Sequence, residues 1–129
     1  MTRETKKSLE QIAKLDGRYS SGMMKFVHKG LGATVDLIRE DAEETQHFHI
    51  TGRQLCLGLA NLALKNWGRF ARVVLAFGGV KTTRDFGEIV YLLIRHNWMY
   101  AQAEDSIEDF NNIYDFESFF EKNFKFQKS

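Results

Sequence analysis

Apolar positions recur along most of this chain at intervals of three and four residues, the spacing that gathers side chains onto one face of an α-helix. Leu9, Ile12 and Ala13 begin the series and Gly17 stops it, which predicts a short helix over 5–15. Met23, Val27, Leu31, Val35 and Ile38 then step by four, four, four and three, with Lys25, Lys29 and Arg39 off that face. Ser20 or Ser21 is placed to cap this second helix, which runs to about Arg39. Gly30 and Gly32 inside it each cost about 1 kcal/mol relative to alanine, so they mark a close crossing or a bend.

The strongest pattern lies in Ile50–Gly68. Thr51 with Gln54 has the spacing of a capping box. Leu55, Leu57, Leu59, Leu62 and Leu64, with Cys56, Ala60 and Ala63, surround the helical circumference, as in the middle of a bundle. Gly52 and Gly58 leave room for neighbours, and Gly68 ends the helix. In the next stretch, 70–77, the expected inner face is Phe70, Val73, Val74 and Phe77, with Arg69 and Arg72 outward. Gly78-Gly79 breaks it. Thr82 or Thr83 then caps a helix to about His96, with Phe86, Ile89, Val90, Leu93 and Ile94 buried and Asp85 and Glu88 near its positive end. Beyond Trp98 the periodicity loosens. Ser106 can cap a turn carrying Ile107, Phe110 and Ile113, and Asp115 can cap a last helix whose Phe116, Phe119 and Phe120 fold back on the core. The alternation in His47–Ile50 allows one very short extended segment. These elements predict an all-α fold: a compact bundle of five or six helices around a central apolar helix. Residues 1–17 form an N-terminal arm with a short helix, and 18–129 a single helical domain with an acidic C-terminal segment.

Composition agrees with that reading. The 129 residues suffice for one core, 43% are hydrophobic, eleven are phenylalanine and none is proline. The lone cysteine, Cys56, cannot form an internal disulfide and sits among leucines as a packed thiol. The charged N-terminus lacks a secretory signal, and the apolar run 55–64 is about half the length of a membrane span, so a cytoplasmic protein with no membrane partner is expected. Net charge is +1 but is segregated: +4 over 1–39, −4 over 40–51, +5 over 52–99, −7 over 100–121 and +3 at the end. A basic middle followed by an acidic segment suggests that the two face each other, against the plainer reading of alternating solvated surfaces.

One series of motifs carries a resemblance. Arg18-Tyr19 is followed by His49-Ile50-Thr51-Gly52, then Trp67-Gly68 and Ala71-Arg72-Val73-Val74. Gly79-Val80, Thr83-Arg84-Asp85-Phe86-Gly87-Glu88-Ile89-Val90, Asp105-Ser106, Asp109-Phe110 and Tyr114-Asp115-Phe116 complete it. In this order they resemble a family of small conserved hypothetical bacterial proteins of unknown function, over about Arg18–Phe119. That family often has proline after the Arg-Tyr pair, where this chain has Ser20. The resemblance implies one compact domain and transfers no catalytic residue.

Candidate chemistry is sparse. His47 and His49, with Glu43 or Glu44, offer two imidazoles to a divalent metal but no third clear ligand, and a role at the helix entry is the plainer reading. No metal or other cofactor is expected. Asp85-Phe86-Gly87 spells a kinase magnesium motif without its phosphate loop or catalytic loop, and is read as a coincidence within a helix start. Neither a nucleophile–base arrangement nor a tuned pair among Asp105, Glu108 and Asp109 is visible. The stretch 70–96 has the length and glycine placement of a helix-turn-helix, and Arg53, Lys65, Arg69, Arg72, Lys81 and Arg84 can form a phosphate-contacting patch; Asp85 and Glu88 oppose that use. Trp98, Met99 and Tyr100 form either an exposed partner patch or a core edge covered by the C-terminal phenylalanines. The expected function is a non-catalytic adaptor or regulatory domain that binds another protein. Its candidate surface is Arg69, Arg72, Arg84, Trp98, Tyr100, Glu104, Asp105, Glu108 and Asp109. The alternative is a nucleic-acid- or ribosome-associated regulator using the basic patch.

Overall fold

Side-chain caps set where the helices begin. The computed structural model describes residues 6–41, 50–102 and 105–125. Within them lie six α-helices: α1 (Leu9–Asp16), α2 (Ser21–Asp41), α3 (Gly52–Trp67), α4 (Ala71–Phe77), α5 (Thr83–Arg95) and α6 (Phe116–Lys125). Two 3₁₀ turns, Gly68–Phe70 and Ile107–Phe110, complete the chain, and no strand occurs among the described residues. Reciprocal capping boxes open α1 (Ser8 with Gln11), α3 (Thr51 with Gln54) and α5 (Thr82 with Asp85). At α2 the Ser20 hydroxyl accepts the Met23 amide at 3.1 Å. Thr82, and not Thr83, therefore caps α5. The expected extended segment falls mostly on 47–49, outside the described residues; Ile50 is described and is not in a strand.

The bundle is all-α and compact, with α3 in contact with α2, α4, α5, α6 and both 3₁₀ turns. Leu55, Cys56, Leu59, Ala60 and Ala63 are its buried side, while Leu57 reaches the surface beside Arg53, Asn61 and Lys65. Its crossing with α2 is close because two glycines meet there. A Cβ at Gly30 would strike the Leu59 side chain, and one at Gly58 would strike the Thr34 hydroxyl. Thr34 is buried and donates that hydroxyl to the Gly30 carbonyl at 2.8 Å, so no polar group is stranded at the crossing. Gly32 has nothing within 4 Å and plays no part in the contact. The most enclosed helix is α5, seven of whose 13 residues are buried.

One expected face is reversed. Phe70, Val73 and Phe77 point to solvent, Val74 is half-buried, and α4 docks instead through Ala71 and Leu75, both fully buried. The reason is local. Nearly every residue in 70–77 is apolar, so periodicity offers two equivalent faces. The 3₁₀ turn before Ala71 has about three residues per turn and rotates the register at the helix start. The small Ala71 then lets the backbone approach the core.

The α2–α3 crossing sets opposite expectations for two glycines of one helix pair. Gly58→Val should lower the unfolding free energy by about 1–3 kcal/mol through overpacking. Gly32→Ala should raise it by up to about 1 kcal/mol. Urea unfolding followed by circular dichroism compares them, and equal losses in both variants would contradict this account of the crossing.

Candidate functional site

The exposed face of α4 is the first candidate. Phe70, the last residue of the 3₁₀ turn that leads into α4, and Val73 and Phe77 within α4 stand three and four residues apart and are 56%, 52% and 89% exposed. Arg69 and Arg72 are exposed beside them, and the Arg69 guanidinium lies 5.1 Å from the centre of the Phe70 ring. Arg72 also acts at a distance. The Asp115 carboxyl is held below the usual carboxylate range, first by the Ser118 amide and in smaller part by the Arg72 charge. The result is an apolar stripe with a basic flank.

The other expected surface residues divide among different tasks. Arg84 is half-buried and tied inward, donating to Glu88 and to the Asn111 side chain, each at 3.0 Å. Among the described residues Trp98 is held by the N-terminal segment and α2: its indole N–H donates to the Lys7 carbonyl at 2.8 Å, the Lys6 ammonium lies 3.9 Å from its ring centre, and His28 meets it edge-on at 5.3 Å. Met99 is buried, whereas Tyr100 is 91% exposed. The acids act as turn caps. Asp105 accepts the Gln102 amide at 2.7 Å, Asp109 accepts the Ser106 amide at 3.0 Å, and Glu108 accepts the Ser106 hydroxyl at 2.5 Å. That hydroxyl is the main reason the Glu108 carboxyl is lowered, with Arg84 contributing less. Arg84 thus touches the acidic segment through the neutral Asn111, while Arg72 acts on Asp115 only at a distance. Glu104 and the proposed metal group of Glu43, Glu44, His47 and His49 lie outside the described residues.

The motifs at 18–19 and 79–88 form a polar clasp. The Tyr19 hydroxyl donates to Asp85 at 2.5 Å, and the other oxygen of Asp85 accepts the Lys81 and Thr82 amides at 2.9 and 3.1 Å. Arg18 bridges Asp16 at 2.9 Å and Glu88 at 3.2 Å. Gly79 lies at φ 100°, against the Arg18 backbone, where a side chain would be both strained and obstructed. Burial, then the Asp85 carboxylate, pushes the Tyr19 phenol well up, so it remains a donor. Each residue of Asp85-Phe86-Gly87 therefore has a structural use, because Phe86 is fully buried and Gly87 admits Phe110.

Sequence reasoning did not find the second candidate, a half-open cleft of about 370 Å³. It lies between the later half of α2, the start of α3, the later half of α5 and the stretches 99–102 and 105–110. Leu31, Val35, Leu55 and Ile94 contribute its apolar walls, and Tyr91, Tyr100, Asp105 and Asp109 its polar side. Its lining comes from four separated stretches, so no local spacing announces it. The volume is within the range of small-molecule pockets, about 300–1,000 Å³.

Among the described residues no three His, Cys, Asp or Glu side chains are grouped to hold a metal ion, and no helix is long and apolar enough to cross a membrane. Comparison with protein-family models, curated proteins and solved structures yields no match. Geometry alone therefore ranks the two surfaces.

Two outcomes follow from burial. Phe77→Ser should change stability by less than about 0.5 kcal/mol, the scale of surface substitutions, whereas Leu75→Ala should cost about 2–5 kcal/mol. Equal losses on chemical unfolding would place Phe77 in the core. Burial also pushes the Cys56 thiol up to about 12. It should resist a thiol-reactive chromogenic disulfide at mildly alkaline pH and react once urea unfolds the chain; rapid labelling of the folded protein would show that the thiol is accessible.

Proposed function

We propose that this chain is a small, non-catalytic cytoplasmic interaction domain, an adaptor or regulator that binds another protein through the α4 face. The observation that carries this reading is the solvent-facing Phe70–Val73–Phe77 stripe. Three large apolar side chains at successive turns match the anchors with which a helix occupies a partner's hydrophobic groove. Arg69 and Arg72 at its edge favour a groove with an acidic rim. The candidate residues at 84 and 98 have internal partners, and Arg69, Arg72 and the exposed phenylalanines take over the role given to the wider surface.

The nucleic-acid reading draws on the exposed Arg53, Lys65, Arg69, Arg72 and Lys81. Against it, α5 presents only Arg95 as a fully exposed residue, and Arg84 at its start is engaged with Glu88 and Asn111. A reading helix requires free donors at that end.

Affinity capture from native extract after nuclease treatment tests the choice. A single stoichiometric protein should be retained by the native chain and lost with the double variant Phe70→Ser, Phe77→Ser. Undiminished capture by that variant would remove α4 as the docking face. Recovery that requires intact nucleic acid, falls steeply with salt and weakens in Arg69→Ala with Arg72→Ala would favour the basic-patch reading.

A further inference from the structure

The polar contacts that hold α1 differ between its two ends. Just beyond Asp16 they are dense and partly enclosed. Arg18 bridges Asp16 and Glu88, and the buried Tyr19 gives its hydroxyl to Asp85. The Ser20 amide donates to the Gly78 carbonyl at 3.0 Å, beside the backbone that Gly79 lets approach. Before Leu9 the contacts lie at the surface. The Trp98 indole reaches the Lys7 carbonyl, the Lys6 ammonium stands over the ring, and both lysines are exposed. Between the ends, Glu10 pairs with Lys25 at 2.7 Å, with both side chains exposed. Such a pair contributes little to stability.

The apolar grip between the two ends is small. The eight residues of α1 bury Leu9, Ile12 and Ala13, packed chiefly on α2, whereas α5 buries seven of its 13 residues. An isolated helix shorter than about 12–15 residues is marginal in water, so α1 depends on its docking. Elements with little buried apolar surface and exposed hydrogen bonds open before the rest of a fold. Gly17 provides a pivot. It ends α1 at φ 83°, and a Cβ built on it would meet nothing within 4 Å.

We infer that α1 is a strap, fastened over α2 at Trp98, which opens as a unit about Gly17 while the Arg18–Tyr19 clasp and the bundle stay folded. Opening bares Leu9, Ile12 and the part of α2 beneath them, together with the Trp98 indole. Closed, the strap withholds that apolar surface. Lys6 is its lever, because an exposed cation over an aromatic ring holds the fastening without being buried. The device does not involve the α4 stripe.

Native-state hydrogen exchange of the full chain, labelled with nitrogen-15 and followed by NMR, tests the strap. The Ile12 and Gly17 amides bond to the Ser8 and Ala13 carbonyls at 3.0 and 2.9 Å. After correction for intrinsic rates they should exchange together, at least tenfold faster than the amides of Leu59 and Leu93. Trp98→Phe, which keeps a ring but removes the donor, should speed the two α1 amides roughly fivefold, the scale of one hydrogen bond. Lys6→Gln should speed them roughly threefold, and Lys6→Arg, which keeps the cation, should leave them unchanged. Neither Lys6 variant should alter exchange at Leu59 or Leu93. Exchange of α1 as slow as that of Leu59 would overturn the inference, because α1 would then open only with the whole fold. So would equal acceleration of α1 and α3 in Lys6→Gln, or the same acceleration of α1 in Lys6→Arg as in Lys6→Gln.

Discussion

The absence of a side chain at Gly87 decides where the C-terminal third of the chain can lie. Phe110 enters there so closely that a Cβ on Gly87 would stand 2.8 Å from both its Cβ and its Cγ. Thr83, one turn earlier, donates its hydroxyl to the Phe110 carbonyl and accepts the Ile113 amide at 3.2 Å. Asn112, between these contacts, takes the left-handed conformation at φ 52° that turns the chain. A segment with little regular structure is thereby fixed to the most enclosed helix by the packing of Phe110 and by three hydrogen bonds, the third from Arg84 to Asn111. Upstream, this sets Asp105 and Asp109 at the cleft. Downstream, it delivers Tyr114 to the Cys56 carbonyl at 2.6 Å and starts the ring cluster of Tyr114, Phe116, Phe119 and Phe120.

The same economy of space recurs where α2 crosses α3 and where Gly79 meets Arg18. In each place a missing side chain lets backbone approach, and a polar group then fixes the approach: Thr34 at the first, Tyr19 and Asp85 at the second. Close packing makes such contacts intolerant of even one added carbon. Polar contacts beside them restrict the geometry, so the core holds one arrangement. The two candidate surfaces sit at opposite ends of this frame, separated by α3, a helix of 16 residues or roughly 24 Å.

Features governed by short-range rules were legible in the sequence. The Thr51–Gln54 box, the helix stops at Gly17 and Gly68, and the close-contact roles of Gly30 and Gly58 all follow from spacing and side-chain size. The α4 face was not, because an almost uniformly apolar stretch has no polar side to orient it. Its docking is decided by a 3₁₀ turn and by which residue, Ala71 or Phe70, fits against the core. The position of Trp98 depends on Lys6 and Lys7, some ninety residues away in the chain. The cleft combines Leu31 with Asp109, and no local period connects them. What was misread or missed is what only tertiary packing determines.

The α4 stripe and the cleft also differ in how binding energy would arise. Burying an aromatic or branched side chain from water is worth about 1.5–3 kcal/mol, so Phe70, Val73 and Phe77 together supply the scale of an interface hot spot. Arg69 and Arg72 at the edge, remaining solvated, would govern approach and orientation more than strength. The cleft is concave instead: Leu31, Val35, Leu55 and Ile94 on one side and Tyr91, Tyr100, Asp105 and Asp109 on the other would enclose a small molecule rather than meet a broad partner surface, although one helix, α3, supports both places.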